Sequence, residues 1–261
     1  MKLPYYEVSA FTTNSFGGNP AGVCPLDTWL SDAVLQNIAA NNNLAETAFT
    51  VPHGSDFELR WFTPTVEMDL CGHATLAAAS VLFRERGLSG KEVRFHSRSG
   101  LLTVARNADL LTLNFPSRPA TPAAAPEALW RGLGARPKEV FKARDYLAIF
   151  SSEKEVRALN PDFALLKPLD CLGIIVTATG ASSDFVSRFF APGAGVDEDP
   201  VTGSAHCTLI PFWAQRLGKN ELFARQVSQR GGELFCELAG ERVYIGGHAV
   251  HYLRGEIKIS D

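Results

Sequence analysis

Residues 197–206 have the sequence DEDPVTGSAH, in which three acids and a proline turn lead into an apolar helix. A weaker copy of this pattern, EMDLCGHAT, occupies residues 67–75 and also runs into an apolar segment. Basic residues followed by Gly87 and Gly218 close the two segments, which is typical of helix C-termini. The two stretches therefore predict two long helices that are apolar on nearly every side and buried.

The spacing of the two copies indicates an internal duplication. Gly72 and Gly87 are 15 residues apart, and the interval from Gly203 to Gly218 is also 15 residues. Gly72 and Gly203, at matching places in the two copies, are 131 residues apart in a chain of 261 residues. We therefore predict two domains of similar fold, each built around one buried helix.

The predicted domains cover residues 1–117 and 126–248, and a C-terminal strand at 249–261 is expected to complete the first domain. Between them, residues 116–126 have the sequence PSRPATPAAAP, with prolines at four of eleven positions, which is typical of a linker. Pro211 falls inside the second apolar helix and predicts an interruption or kink there.

The composition limits the class of protein. With 28 acids against 25 bases, the chain has no basic excess for nucleic acid, so a small-molecule partner is expected. No apolar run approaches the length of about 18 residues that a membrane helix needs, and no signal peptide is evident, so we expect a cytoplasmic protein without a membrane partner. Five cysteines without close pairs predict neither a disulfide framework nor a metal site. The chain also lacks the glycine-rich motifs of nucleotide-binding proteins.

The two helix starts suggest how a small molecule could bind. Backbone N–H groups in the first turn of a helix have no partner within the helix, and the glycines at Gly72 and Gly203 leave them accessible. If the two starts face each other, they form a cleft suited to a carboxylate or an enolate. The alternative, which the sequence leaves open, is that both motifs simply begin core helices.

Two further residues are candidates for chemistry. Glu46 is the only charged residue between Asp32 and Asp56, and its neighbours are small or apolar, so a raised pKa would suit it to carrying a proton. A solvated glutamate at a strand edge is the alternative. Cys71 directly precedes a helix start, where the pKa of a thiol can fall. His206 is left open, because it could belong either to a site or to the packing of the helix.

Four motifs together resemble the phenazine biosynthesis-like PhzF family: GNPA at 18–21, LAETAF at 44–49, DLCGHAT at 69–75 and EDPVTGSAH at 198–206. They follow one another along the whole chain with suitable spacing. The resemblance implies an α/β (α+β) fold of two pseudo-symmetric, diaminopimelate epimerase-like domains. Each domain is expected to wrap a mostly antiparallel or mixed sheet around a central helix, with the active site between the domains.

The resemblance also implies roles for particular residues. Glu46 would take a proton from a carbon atom of a small carboxylate-bearing metabolite and return it elsewhere, as an isomerase does without a metal or an organic cofactor. The family commonly forms homodimers. The implied catalytic residues are Glu46, His73, Asp199 and Ser204, and the implied substrate-binding residues are Cys71, Gly72, Thr202 and Gly203.

Two alternative functions stay open. Epimerases of this fold use two cysteines, one at each helix start, as opposed acid and base. Here Cys71 occupies the first place but Thr202 occupies the second. A hydroxyl is far too weak an acid to replace a thiol, which disfavours a symmetric mechanism with two thiols. An epimerase or racemase that uses Cys71 with Glu46 is therefore the less favoured alternative. The other alternative is a non-catalytic protein that binds a metabolite.

Overall fold

The structure is a computed structural model that describes residues 1–259. The chain divides into two compact units, Met1–Asn114 with Gly246–Asp261 (unit 1) and Phe115–Ile245 (unit 2). Each unit contains a mixed sheet and one long buried helix, which confirms the predicted α+β class. Within residues 1–259, no helix has both the length and the apolar character needed to cross a membrane.

Residues 1–259 form eighteen strands and six α-helices. The first strands are β1 (Lys2–Ala10), β2 (Asn19–Pro25), β3 (Glu46–His53), β4 (Asp56–Phe62), β5 (Glu67–Met68), β6 (Glu92–Ser97), β7 (Gly100–Asn107), β8 (Leu110–Pro116) and β9 (Thr121–Pro122). The later strands are β10 (Glu139–Lys142), β11 (Tyr146–Ile149), β12 (Ile174–Thr179), β13 (Phe185–Ala191), β14 (Val196–Asp199), β15 (Glu221–Gln226), β16 (Gly232–Ala239), β17 (Arg242–Gly247) and β18 (Ala249–Lys258). The helices are α1 (Asp32–Asn42), α2 (Gly72–Arg84), α3 (Glu127–Leu133), α4 (Glu153–Ala158), α5 (Phe163–Leu166) and α6 (Gly203–Leu217).

The sheet of unit 1 combines parallel and antiparallel pairs. Strand β2 lies between antiparallel β1 and parallel β3, β3 is antiparallel to β4, β4 is parallel to β6, and β6 is antiparallel to β7. Strand β18 pairs with β1 along its whole length, from Lys2 opposite Lys258 to Ala10 opposite Ala249. The predicted C-terminal strand at 249–261 is thus seen as β18, and residues 260 and 261 lie outside the described residues.

Unit 2 repeats the same succession of pairs. Strand β11 is parallel to β12, β12 is antiparallel to β13, β13 is parallel to β15, and β15 is antiparallel to β16. In both units a short antiparallel strand, β5 or β14, comes immediately before the long helix. This shared order of elements confirms the internal duplication.

The two long helices begin at the glycines from which they were predicted. Helix α2 starts at Gly72, and every residue from Gly72 to Phe83 is buried. Helix α6 starts at Gly203 and ends before Gly218, which adopts the left-handed conformation of a C-cap (φ 67°). Burying a leucine or valine side chain in such a helix contributes about 1.5–3 kcal/mol, so an apolar surface on every side favours a helix enclosed by its own sheet.

Helix α6 continues through Pro211 from Gly203 to Leu217, so the expected interruption of the helix does not occur. Proline has no N–H, so Pro211 cannot donate to the carbonyl of Cys207 four residues earlier. The backbone N–H of Arg118 donates to that carbonyl instead, at 2.8 Å. The residues predicted as a linker are therefore bonded along unit 2, and Ser117 and Ala123 also donate backbone hydrogen bonds within that unit.

Replacing Gly247 with alanine tests the packing of unit 1. A Cβ atom at Gly247 would lie 2.3 Å from Cδ1 of Phe11, and the fully buried Phe11 has a left-handed backbone (φ 62°), so its ring has little freedom to move. We expect G247A to lower the free energy of unfolding by about 2 kcal/mol. The control is G255A in β18, where the nearest atom to an added Cβ is 3.7 Å away. Equal denaturant midpoints for the two variants would contradict this packing.

Candidate active site

The start of two neighbouring strands brings Asn19 and Glu46 to the same end of the sheet in unit 1. Asn19 begins β2 and Glu46 begins the parallel strand β3, where it lies opposite Ala21. Gly18 makes the turn into β2 with φ 66°, and an added Cβ there would lie 2.2 Å from the carbonyl oxygen of Ala10. Glycine is therefore required just before Asn19, whose side chain is fully buried.

The start of α2 adds an imidazole and a thiol to this group. Cys71 is the N-cap residue of α2, and His73 is the second residue of the helix. The Nε2 atom of His73 lies 3.2 Å from Oε2 of Glu46, and its Nδ1 atom lies 3.1 Å from Nδ2 of Asn19. The Sγ atom of Cys71 contacts the same Nδ1 at 3.5 Å. Thus His73 is flanked on one ring nitrogen by Glu46 and on the other by Asn19 and Cys71.

The contact between His73 and Glu46 is close but incomplete. Although His73 Nε2 and Glu46 Oε2 are within ion-pair distance, neither atom completes an aligned hydrogen bond with any residue of the described chain, 1–259. Both atoms are buried from solvent. A buried polar atom left without a hydrogen bond costs about 1–3 kcal/mol, so a ligand that bonds to these atoms would be stabilised there.

Burial and mutual charge govern the protonation of this group. Burial raises the pKa of the Cys71 thiol to about 11, and the charge of Glu46 adds to the rise. The expectation of a lowered thiol pKa at this helix start is therefore wrong, because lost solvation outweighs the field of the helix. Burial lowers the pKa of His73, whereas the charges and close contacts of Cys71 and Glu46 raise it, and the net result is a pKa well above the ordinary value.

The charge state of Cys71 limits the rise in the His73 pKa. That rise draws in part on a negatively charged Cys71 sulfur, yet the thiol keeps its proton at neutral pH because its own pKa is about 11. The protonation states of Cys71 and His73 are therefore coupled.

These three side chains also contain the donor atoms of a metal site. One atom each from Glu46, Cys71 and His73 lie within 4.8 Å of one another. However, Glu46 contacts Nε2 of the imidazole and Cys71 contacts Nδ1, while a single ion can be bound by only one of the two nitrogens. Glu46 and Cys71 thus contact different nitrogens of the imidazole, an arrangement that does not place three ligands around one ion.

The start of α6 in unit 2 carries a separate polar cluster. Thr202 is the N-cap residue, and its hydroxyl donates to Oδ2 of Asp199 at the end of β14. The buried Gln226 at the end of β15 accepts from the Thr202 N–H at 2.8 Å and donates to the Asp199 carbonyl at 2.8 Å. Gln226 therefore fixes the turn that leads into Gly203.

An ion pair between the partly exposed Arg144 and the buried Asp145 supports Ser204, the second residue of α6. Arg144 binds Asp145 through two of its nitrogens, and Asp145 is completely buried. The Nη2 atom of Arg144 also donates to Oγ of Ser204 at 3.1 Å. Because a guanidinium can only donate, the hydroxyl proton of Ser204 is directed elsewhere.

The structure groups the residues that the sequence singled out into two sets. One set, Glu46, Cys71, Gly72 and His73, lies together in unit 1, and the other, Asp199, Thr202, Gly203 and Ser204, lies together in unit 2. Sequence reasoning missed four supporting residues, which are Asn19, Arg144, Asp145 and Gln226. The motif GNPA contains Asn19 without indicating a role for it, and no sequence signal marks Gln226.

His206 belongs to the packing of unit 2. It is fully buried, its Nδ1 lies 2.8 Å from the carbonyl oxygen of Thr202, and its ring lies 5.9 Å from the ring of Phe185. Burial lowers the pKa of His206 to about 4, so the side chain is neutral at physiological pH. These contacts assign the residue that the sequence left open to a structural role.

The duplicated mixed sheets, each with a buried helix, define a protein of epimerase-like fold. The match to the phenazine biosynthesis-like protein family covers residues 8–255, and the chain belongs to that family.

An uncharacterized isomerase of Pseudomonas aeruginosa is 53% identical over 261 residues, covering 100% of both chains. The crystal structure of a PhzF-family protein from Enterococcus faecalis is 47% identical, with a TM-score of 0.98 over 99% of this chain and 100% of that one. A hydroxyproline epimerase from Agrobacterium vitis, 11% identical, shares the fold with a TM-score of 0.64 over 100% of this chain and 93% of that one. The protein is thus an isomerase of the PhzF family.

The buried His206 predicts a pH-dependent stability. Its pKa is about 4 in the folded state and about 6.5 in the unfolded state, so the unfolded state binds the extra proton as the pH falls between these values. The contribution of His206 to the free energy of unfolding has its full value above pH 6.5 and falls by about 3 kcal/mol on acidification to pH 4. H206N, whose amide can donate to the Thr202 carbonyl without titrating, should lose less stability over this range in denaturant unfolding experiments.

An NMR titration of His206 in the unmodified protein provides a second measurement. A midpoint near 6.5 for this residue, or equal acid destabilisation of the protein and H206N, would contradict the assignment.

Proposed function

We propose that this isomerase moves a proton on a small carboxylate-bearing metabolite, with Glu46 as the acid and base. The observation that supports this most strongly is the pair of buried, incompletely bonded atoms, Glu46 Oε2 and His73 Nε2, 3.2 Å apart. A carboxylate with unused hydrogen-bonding capacity, sheltered from water and steadied by an imidazole, suits proton abstraction from carbon.

The reaction has a simple proton balance. The Glu46 carboxylate takes a proton from one carbon of the substrate, and the electron pair of that C–H bond passes into the substrate as an enolate or extended enol. The carboxylic acid then returns the proton to another atom of the same substrate, which restores the Glu46 carboxylate. The Glu46 side chain is 16% exposed, so solvent deuterium can enter the carboxyl group between the two transfers.

The helix starts support a carboxylate group on the substrate. Helix α2 begins at Gly72, where the first backbone N–H groups have no partner within the helix and carry partial positive charge. The start of α6 at Gly203 offers backbone N–H groups of the same kind in unit 2. Asp199, Thr202 and Ser204 have supporting polar roles there.

The protonation of Cys71 argues for a single carboxylate rather than two opposed thiols. The Cys71 thiol has a pKa of about 11, so it holds its proton at neutral pH and cannot act as a general base there. The residue in the matching place of unit 2 is Thr202, the N-cap of α6. Cys71 accordingly has a binding and packing role.

The family resemblance supports a homodimer as the assembly. The five cysteines are free, as is usual for proteins in the reducing cytoplasm, and this supports a cytoplasmic location.

The proton shuttle predicts that E46Q abolishes hydrogen exchange. The protein is incubated in heavy water with a panel of small cyclic and amino-acid-derived carboxylates, and deuterium incorporation at carbon is followed by NMR. Because a general base contributes about 10²–10⁴-fold, E46Q should slow exchange by at least about 100-fold. The matched control, E92Q, replaces an exposed glutamate and should keep the full rate. Full exchange by E46Q would exclude the shuttle, and tight binding of a carboxylate without exchange in the unmodified protein would favour a binding protein instead.

The same assay distinguishes the shuttle from a cysteine-based epimerase. C71S keeps a small polar side chain at the helix start but removes the thiol. We expect it to retain exchange to within about tenfold, because the protonated thiol is not the base. A loss as large as that of E46Q, together with exchange confined to the α-carbon of an amino acid, would instead support epimerisation through Cys71.

A further inference from the structure

We propose that Asn19 is a positioning residue that fixes His73 as a neutral imidazole with its proton on Nε2, the nitrogen facing Glu46. The inference rests on the proposed function only in assigning the His73–Glu46 pair to the reaction. Neither the sequence motifs nor the family resemblance gave Asn19 a role.

The Cys71–His73 pair has three possible protonation states. A protonated thiol can lie beside a neutral imidazole or beside an imidazolium that carries protons on both nitrogens, or a thiolate can lie beside an imidazolium. The raised pKa of His73 favours an imidazolium, but its largest raising cause is a negative Cys71 sulfur, which is absent while the thiol keeps its proton. A neighbouring hydrogen-bonding group can therefore decide among the three states.

Asn19 supplies that group. Its amide nitrogen lies 3.1 Å from Nδ1 of His73, and an amide nitrogen only donates hydrogen bonds. Nδ1 must then be an acceptor without a proton, because a protonated Nδ1 would direct its N–H at another N–H. The Cys71 sulfur contacts the same nitrogen at 3.5 Å, and a protonated thiol is a second donor to it. The ring proton is therefore on Nε2.

The backbone around Asn19 holds the amide in this place. Asn19 is fully buried and lies opposite Ala10 in the antiparallel pair of β1 and β2. The turn at Gly18 brings the chain so close to β1 that a side chain there would collide with it. Asn19 therefore cannot withdraw from His73 without disrupting the strand pair. Rotation of the amide by 180° would present its oxygen to Nδ1 and favour a proton on that nitrogen, so the orientation of the amide and the protonation of the ring depend on each other.

The neutral arrangement has a consequence for Glu46. A proton on Nε2 faces Oε2 of Glu46 across 3.2 Å, so the positive edge of a neutral dipole lies next to the carboxylate. A dipole steadies the carboxylate less strongly than a full positive charge would. The carboxylate that must accept a proton from carbon thus faces a neutral hydrogen-bond donor rather than a full positive charge.

Nitrogen-15 NMR of histidine-labelled protein tests the inference without any substrate. The chain has six histidines, and the spectrum of H73Q identifies the His73 signals by their absence. At neutral pH we expect the His73 Nδ1 to show the shift of an unprotonated nitrogen and Nε2 that of a protonated one. Protonation of Nδ1, alone or together with Nε2, overturns the proposal.

Variants at Asn19 show whether this residue is the cause. N19D places an acceptor opposite Nδ1, so we expect Nδ1 to gain a proton and its signal to move to the protonated position. N41D is the control, since Asn41 is an exposed asparagine on α1 and the change adds the same charge. N19L removes the donor at similar size and should give a mixture of ring forms. A His73 spectrum unchanged in folded N19D and N19L would overturn the assignment to Asn19.

The spectrum of the unmodified protein decides the ring form even if neither variant folds. Its result is also independent of the exchange assay. If E46Q retains exchange while the His73 spectrum is as expected, the proposed function fails and the role of Asn19 stands.

Discussion

A helix that is apolar on every side has to begin inside the protein, and this requirement shapes the unit 1 site. Every residue of α2 from Gly72 to Phe83 is buried, so the residues at its start are buried as well. Cys71 and His73 are therefore removed from water by the packing of the helix to which they belong. The raised pKa of the thiol and the mutual dependence of the two side chains follow from this burial. The protonation behaviour of Cys71 and His73 is thus a consequence of how the helix is enclosed.

The two halves of the chain meet the same requirement with different side chains. At the start of α6, Gln226 and Asp199 satisfy the polar groups of Thr202, so the cluster is closely bonded within unit 2. At the start of α2, the contact of His73 with Glu46 is left without an aligned hydrogen bond. Duplication of one fold has therefore produced one helix start with bonded polar groups and one with polar groups available to a ligand.

The sequence was informative where short local patterns determine the structure. A glycine after an acidic or polar turn, an apolar helix of fixed length and a closing glycine are local features, and they located the starts of α2 and α6 at Gly72 and Gly203. The supporting residues were not predictable in this way. Asn19 contacts His73 across 54 positions and Arg144 contacts Ser204 across 60. Such partners depend on which strands become neighbours, and no short pattern encodes that. The raised pKa of Cys71 was mispredicted for a related reason, because burial from all sides is a property of the folded unit.

The pairing of β1 with β18 has a consequence for the order in which the protein can be completed during synthesis. Strand β1 contains the first residues of the chain, and its partner β18 extends to Lys258, near the end. The N-terminal amino group of Met1 itself donates to the carbonyl of Ile259. Unit 2 is a continuous segment and has all its residues once residue 245 has emerged from the ribosome, whereas unit 1 must wait with one edge of β1 unpaired. The half of the molecule that is made first is the half that closes last, reversing the usual N-terminal-first order of domain folding.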